Sequence, residues 1–225
     1  ENRLTQDYLG SVDGRSAIDA YLKKIWDYPR VTVLVRKGGR YFFTHNSGLE
    51  KQPRLYVAES LAGSRRLLVD PLAVDPGGTV SVSGFLPSDD GRYVAYGMSD
   101  GGSDFARWQI HDVDAGRALP DLLLHIKFTS IAWAKDGSGF YYSRYPSLPD
   151  GKTDDQKPVS LYFHRLRTPQ SEDRLVVALG HPKRDPYPTM SDDGRYLVVT
   201  VYDGYVSNGL YYIDLEDEER KLVRL

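Results

Sequence analysis

The stretch SDDGRYLVVT occupies Ser191–Thr200, and its first six residues also stand at Ser88–Tyr93, where SDDGRY leads into VAYG. The two copies lie 103 residues apart (191 − 88) and each precedes an apolar run, which points to a repeated structural unit. Aligning on the turn glycine brings in two more copies, RKGGRYFFTH at Gly39 and AKDGSGFYYS at Gly137. The four glycines, Gly39, Gly91, Gly137 and Gly194, are spaced by 52, 46 and 57 residues. Irregular periods near 50 exclude tight solenoids and suit propeller blades.

Each copy has the same internal order. An apolar segment comes first (VTVLV, TVSVSGF, SIAWA or YPTM), then the turn, then a strand rich in Tyr, Phe and Val. A third strand follows (RLYVAES, ARWQIHDV, SLYFHRL, GLYYIDL), then a second turn and a fourth strand (RRLLVD, ALPDLL, RLVVA, KLVRL). Asp hydrogen-bonds its own backbone in such turns, and Gly supplies φ > 0. Four short antiparallel strands per unit make one blade. The strand after the turn lacks polar alternation, as expected of a strand covered on both faces by neighbouring blades. Phe42, Phe43, Trp133, Tyr141 and Tyr142 are therefore read as core. The fold class is all-β, a β-propeller with about four four-stranded antiparallel blades, at approximately 31–70, 79–124, 128–179 and 187–225.

Residues 1–29 differ. Ile18, Tyr21, Leu22, Ile25 and Trp26 recur at helical spacing, so one amphipathic α-helix is expected, capped by Asp13 or Ser16 and followed by Pro29. The domain reading is a helical segment over 1–29 and a propeller over 30–225. Neither end reads as a natural terminus, so the chain is expected to be part of something longer. Until its stripe is covered, that helix leaves an apolar patch exposed.

The totals narrow the function classes. Lys plus Arg number 29 against 31 Asp plus Glu, a net charge of −2, which offers no polyanion-binding surplus. Cysteine is absent, which removes disulfides, thiolate metal sites and a cysteine nucleophile. No apolar window reaches the length of a membrane-spanning helix. A G-x-S-x-G elbow does not occur, and the serines of GGSDF and DGSGF sit at turns. His45, His111, His125, His164 and His181 stand alone, without metal-ligand spacing, and read as surface or packing residues. The carboxylate clusters fall at turns. A long polar loop runs over 145–158. Taken alone, these residues describe a propeller segment with no catalytic apparatus of its own.

Longer strings carry more. WDYPRVTVLVRKGGRYFFTHNSGLEKQPRLYV from Trp26, GTVSVSGFLPSDDGRYVAYGMSDGGSDF from Gly78, IKFTSIAWAKDGSGFYY from Ile126 and TPQSED from Thr168 resemble the N-terminal part of the prolyl oligopeptidase (prolyl endopeptidase) family of serine peptidases. The resemblance implies a seven-bladed ring seated on an α/β-hydrolase domain, with this chain holding the helix and the first four blades. The Ser-Asp-His apparatus then lies outside the chain, so no catalytic residue, metal or cofactor is expected in it. The implied partners are short proline-containing peptides and the hydrolase domain of the same protein, with no nucleic acid and no membrane. A soluble protein of the cytoplasm or periplasm is expected, the two not being separable.

The resemblance also implies site residues. Phe128 matches a phenylalanine that walls the substrate pocket, although a strand-start core residue is the plainer reading. Asp104 and Phe105 match an acid–aromatic pair near the same cavity. Asp185 and Tyr205 stand where the family is apolar, implying a more polar or narrower pocket; as residues they read as loop positions. The competing classes are a non-catalytic propeller that binds partners as a scaffold and a propeller glycosidase with axial carboxylates.

Overall fold

The structure is a computed structural model describing residues 1–181 and 183–225. Two helices come first, α1 (Asn2–Gly10) and α2 (Arg15–Trp26). The expected amphipathic helix is α2, which carries the apolar stripe, and α1 precedes it. The expected cap does not form: Gly14, at φ 80°, is the N-cap, because the turn linking the helices needs a left-handed residue.

Four antiparallel sheets follow. The first holds β1 (Arg30–Val31), β2 (Val35–Lys37), β3 (Arg40–Asn46), β4 (Arg54–Ala58) and β5 (Arg65–Val69). The expected strand VTVLV is broken: β1 and β2 both pair with β3, and Val33 and Leu34 between them are exposed. The second sheet holds β6 (Val80–Pro87), β7 (Tyr93–Asp100), β8 (Phe105–Asp112) and β9 (Arg117–Lys127). The third holds β10 (Ala132–Trp133), β11 (Gly139–Arg144), β12 (Ser160–Arg165) and β13 (Arg174–Ala178). The fourth holds β14 (Arg184–Met190), β15 (Tyr196–Asp203), β16 (Ser207–Asp214) and β17 (Val223–Arg224). The second, third and fourth sheets are meanders in chain order, and the first differs only in its split opening strand, as a propeller blade allows.

The repeated hexapeptide closes the same hairpin twice. Ser88 accepts a hydrogen bond at Oγ from Tyr93 N (2.9 Å), and Asp90 Oδ1 accepts from Arg92 N (3.0 Å) and Ser88 Oγ (2.6 Å). Ser191, Asp193, Arg195 and Tyr196 repeat these bonds at 2.6–3.0 Å. Gly91 and Gly194 take φ 69° and 77°, where a side chain would be strained. Ser and Asp saturate the turn's backbone donors, and Gly permits its path, so one solution serves two blades.

The cores lie between blades rather than within them. Phe42, Leu55 and Val57 of the first blade meet Val94, Tyr96 and Met98 of the second. Tyr93, Ala95 and Trp108 of the second meet Trp133, Phe140 and Tyr142 of the third. Tyr141 and Leu161 of the third meet Leu197, Val199 and Val201 of the fourth. Strand β7 thus sends odd residues to one seam and even residues to the other. That is why YVAYGM carries no polar alternation. The helices take no part, since neither α1 nor α2 has a buried residue.

Candidate functional site

In a four-stranded meander, the start of strand one, the end of strand two, the start of strand three and the end of strand four share one edge. That edge gathers Phe105 (start of β8), Lys127 (end of β9), Tyr145 (just after β11) and Asp185 (start of β14). Phe105 and Lys127 are register partners. The opposite edge carries the turns between first and second strands, the repeated hairpins.

Lys127 organises the first edge. Its Nζ lies 3.1 Å from Asp104 Oδ2, 5.5 Å from the Phe105 ring centre and 5.0 Å from that of Phe128. An ammonium between a carboxylate and two aromatic faces is held by charge and by the ring quadrupoles together. The Phe105 ring in turn meets Tyr145 edge-on at 5.7 Å. Phe128 is 61% exposed and takes φ 48°. It is not the core residue that its strand-start position suggests. An exposed aromatic in a left-handed backbone conformation, which costs about 1–3 kcal/mol, makes Phe128 a candidate site residue.

Blade four completes the cluster. Asp185 pairs in register with Tyr202, and Tyr187 on the same face packs edge-on against Tyr202 at 4.8 Å. Burial raises the Asp185 carboxyl above the ordinary aspartate range, and the charge on Lys127 only partly offsets this. Burial, followed by the Asp185 charge, raises the Tyr145 phenol and pushes that of Tyr187 up to about 12. Four of the five expected site residues, Asp104, Phe105, Phe128 and Asp185, therefore share one rim. The fifth, Tyr205, stands on the same edge, fully exposed at the tip of the β15–β16 turn, with no aromatic, ionic or hydrogen-bonded contact to the cluster among the described residues. Lys127, Tyr145 and Tyr187 were not singled out from sequence. Only the meeting of three blades makes them neighbours.

The opposite edge carries alternating charge. The second residue of each hairpin turn is Lys37, Asp89, Lys135 and Asp192 in successive blades. Asp89 binds Lys37 at 2.5 Å and also Lys135, so it joins three blades, and Lys135 first and Lys37 second hold its carboxyl below the usual range. All four residues line one cleft of about 250 Å³ with Leu86, Trp133 and Met190. The first strands of blades two to four therefore face a common axial space.

A third cluster is wholly buried. His164 Nδ1 lies 2.7 Å from Asp173 and Nε2 lies 2.9 Å from Asp121, with all three side chains sealed from solvent. Burial opposes charge on His164, yet the bonds to Asp121 and Asp173 outweigh it and raise its pKa to about 9. Asp173 also accepts from the Tyr142 hydroxyl, and Gln170 donates to that hydroxyl at 2.8 Å. Gln170 further exchanges two hydrogen bonds with the Leu124 backbone. The TPQSED string thus ties the third blade to β9 of the second. Among the described residues no serine hydroxyl is hydrogen-bonded to a histidine, and no group of three His, Asp or Glu is arranged to hold a metal ion. No described helix is long and apolar enough to cross a membrane.

Fold and rim together define a four-blade stretch of β-propeller with an aromatic, charged mouth. The whole chain, residues 1–225, matches the family model described as the prolyl oligopeptidase N-terminal beta-propeller domain, and the chain belongs to that family. It is 35% identical over 224 residues to a prolyl endopeptidase of Elizabethkingia meningoseptica, covering 97% of this chain and 31% of that protein. It is 31% identical over 243 residues to prolyl oligopeptidase A of Galerina marginata, covering 93% and 32% respectively. A chain from a structural study of two prolyl endopeptidases superimposes with a TM-score of 0.90 at 27% identity, over 99% of this chain and 33% of that one. The chain thus spans about a third of the length of these relatives.

Proposed function

We propose that this chain is the substrate-gating propeller part of a prolyl oligopeptidase, a serine endopeptidase cutting short peptides on the C-terminal side of proline. The observation that carries the reading is the rim cluster of Phe128, Lys127, Asp104 and Asp185 on a propeller of this family. Relatives that share the domain are named prolyl endopeptidases. In this reading four of seven blades are present, and the Ser-Asp-His machinery belongs to a hydrolase domain outside the chain. The apolar stripe of α2 packs on that domain. The rim faces the active site, and the narrow axis excludes folded proteins while admitting short flexible ones. Chemistry is acyl transfer: serine attack, histidine as base, aspartate orienting the histidine, then hydrolysis of the acyl-enzyme.

The test compares residues 1–225 alone with the full-length protein on a succinyl-Gly-Pro coumarin amide. The full-length protein is expected to turn it over and the isolated segment to remain at background. On a set of proline-containing peptides of increasing length, the full-length protein is expected to lose activity with size. Turnover by the segment alone, or equal cleavage of a folded protein, overturns the reading.

A further inference from the structure

One carboxyl of the rim has no direct partner. Lys127 is matched by Asp104 at 3.1 Å. That leaves Asp185, which accepts no hydrogen bond and forms no ion pair among the described residues; Lys127 acts on it only through space. The surroundings of Asp185 are aromatic: Tyr202 beside it in register, Tyr187 two residues on along the same face, and Tyr145 across from the third blade. A half-buried carboxylate without a partner is costly, and it is retained where something supplies the opposite charge. Phenol rings near it add π-systems, which attract a cation over their faces. Together they describe a receptor for a cation, not for an apolar or acidic group.

We propose that Asp185, with Tyr145, Tyr187 and Tyr202, selects peptides carrying a positive charge on the amino side of the scissile proline. This rests on the proposed function, since it assigns the rim to peptide binding. Two sources share the chemistry: a lysine or arginine side chain, and a free α-amino group. Asp185 is a specificity residue in this account and takes no part in bond cleavage.

The experiment uses the full-length enzyme and coumarin amides ending in Gly-Pro. One set is acetylated and places lysine, norleucine or glutamate at each of three positions upstream of the proline. A second set keeps the same apolar residues with a free or an acetylated N-terminus. At one upstream position lysine is expected to exceed norleucine in kcat/KM by about threefold to tenfold, the scale of a part-desolvated charge contact, with glutamate below both. If the α-amino group is the guest, the free-amine set shows the preference instead. In Asp185→Asn the lysine-to-norleucine ratio falls to about one, and Asp185→Glu retains part of it. A readout needing no variant is the same ratio against pH. It declines as the Asp185 carboxyl protonates, with a midpoint above the ordinary aspartate range. No preference for the cationic member of either set in the unmodified enzyme, or a preference that survives in Asp185→Asn, overturns the inference while leaving peptide cleavage intact. Failure to cleave any of the peptides overturns the proposed function, and the inference with it.

Discussion

Adjacent glycines at the first hairpin turn separate two physical demands. Gly38 and Gly39 both take left-handed backbone, at φ 53° and 77°. A Cβ on Gly39 meets open space, whereas one on Gly38 collides with the Asp90 carbonyl of the neighbouring blade. Gly39→Ala is therefore expected to cost only the left-handed penalty, about 1–2 kcal/mol. Gly38→Ala adds a backbone collision that the blade seam must open to relieve, and a loss of roughly 3 kcal/mol or more is expected. Thermal melts of the two variants check this: Gly38→Ala must fall well below Gly39→Ala, and equal melting temperatures would remove the seam contact from the account. The sequence shows that a turn glycine is needed here. It does not show which of the two touches the next blade, because that contact joins residues 52 positions apart.

At the scale of the element, hairpins and seams were legible to different degrees. The turn after the first strand is written locally around a Gly, and in two blades it repeats visibly as SDDGRY. The seam between the second and third blades is written across the chain. His164 reads as a lone histidine because Asp121 lies 43 residues before it and Asp173 nine after, in separate elements. The same distance effect hid part of the rim: the resemblance names Phe128 and Asp185, but Lys127, Tyr145 and Tyr187, which join them, are not legible in the sequence. The His164 seam has a pH signature. A folded pKa raised to about 9, against about 6.5 unfolded, gives stability that is full below pH 6.5. That stability is lost as pH rises through about 9, a swing on the order of 3 kcal/mol. The melting temperature is expected to decline between these limits. In His164→Gln it starts lower, because two buried carboxylates lose their cation, and its decline over the same window flattens. An unchanged slope in the variant would assign the alkaline loss to other groups.

At the scale of the whole molecule, three interblade cores hold four blades, and the two N-terminal helices stand outside all of them. Periodicity revealed the α2 stripe, and among the described residues it is left open: Ile18, Tyr21 and Ile25 are 60%, 63% and 44% exposed. Among the described residues the helix meets the propeller at its end, where Arg30 stacks 5.3 Å from Trp26 and donates to the Gly48 carbonyl at 2.7 Å. Tyr21 and Ile25 therefore test the stripe without touching that tie. In residues 1–225 alone, Tyr21→Ser with Ile25→Ser is expected to leave the propeller's melting transition unchanged within about 0.5 kcal/mol, as for surface positions. In the full-length protein the proposed docking buries both side chains. At about 1.5–3 kcal/mol per large apolar group, the pair is then worth roughly 3–6 kcal/mol. Calorimetry on both forms decides it. A loss in the full-length protein alone places the covering surface outside this chain, whereas an equal loss in the isolated segment would show that the stripe already serves the blades.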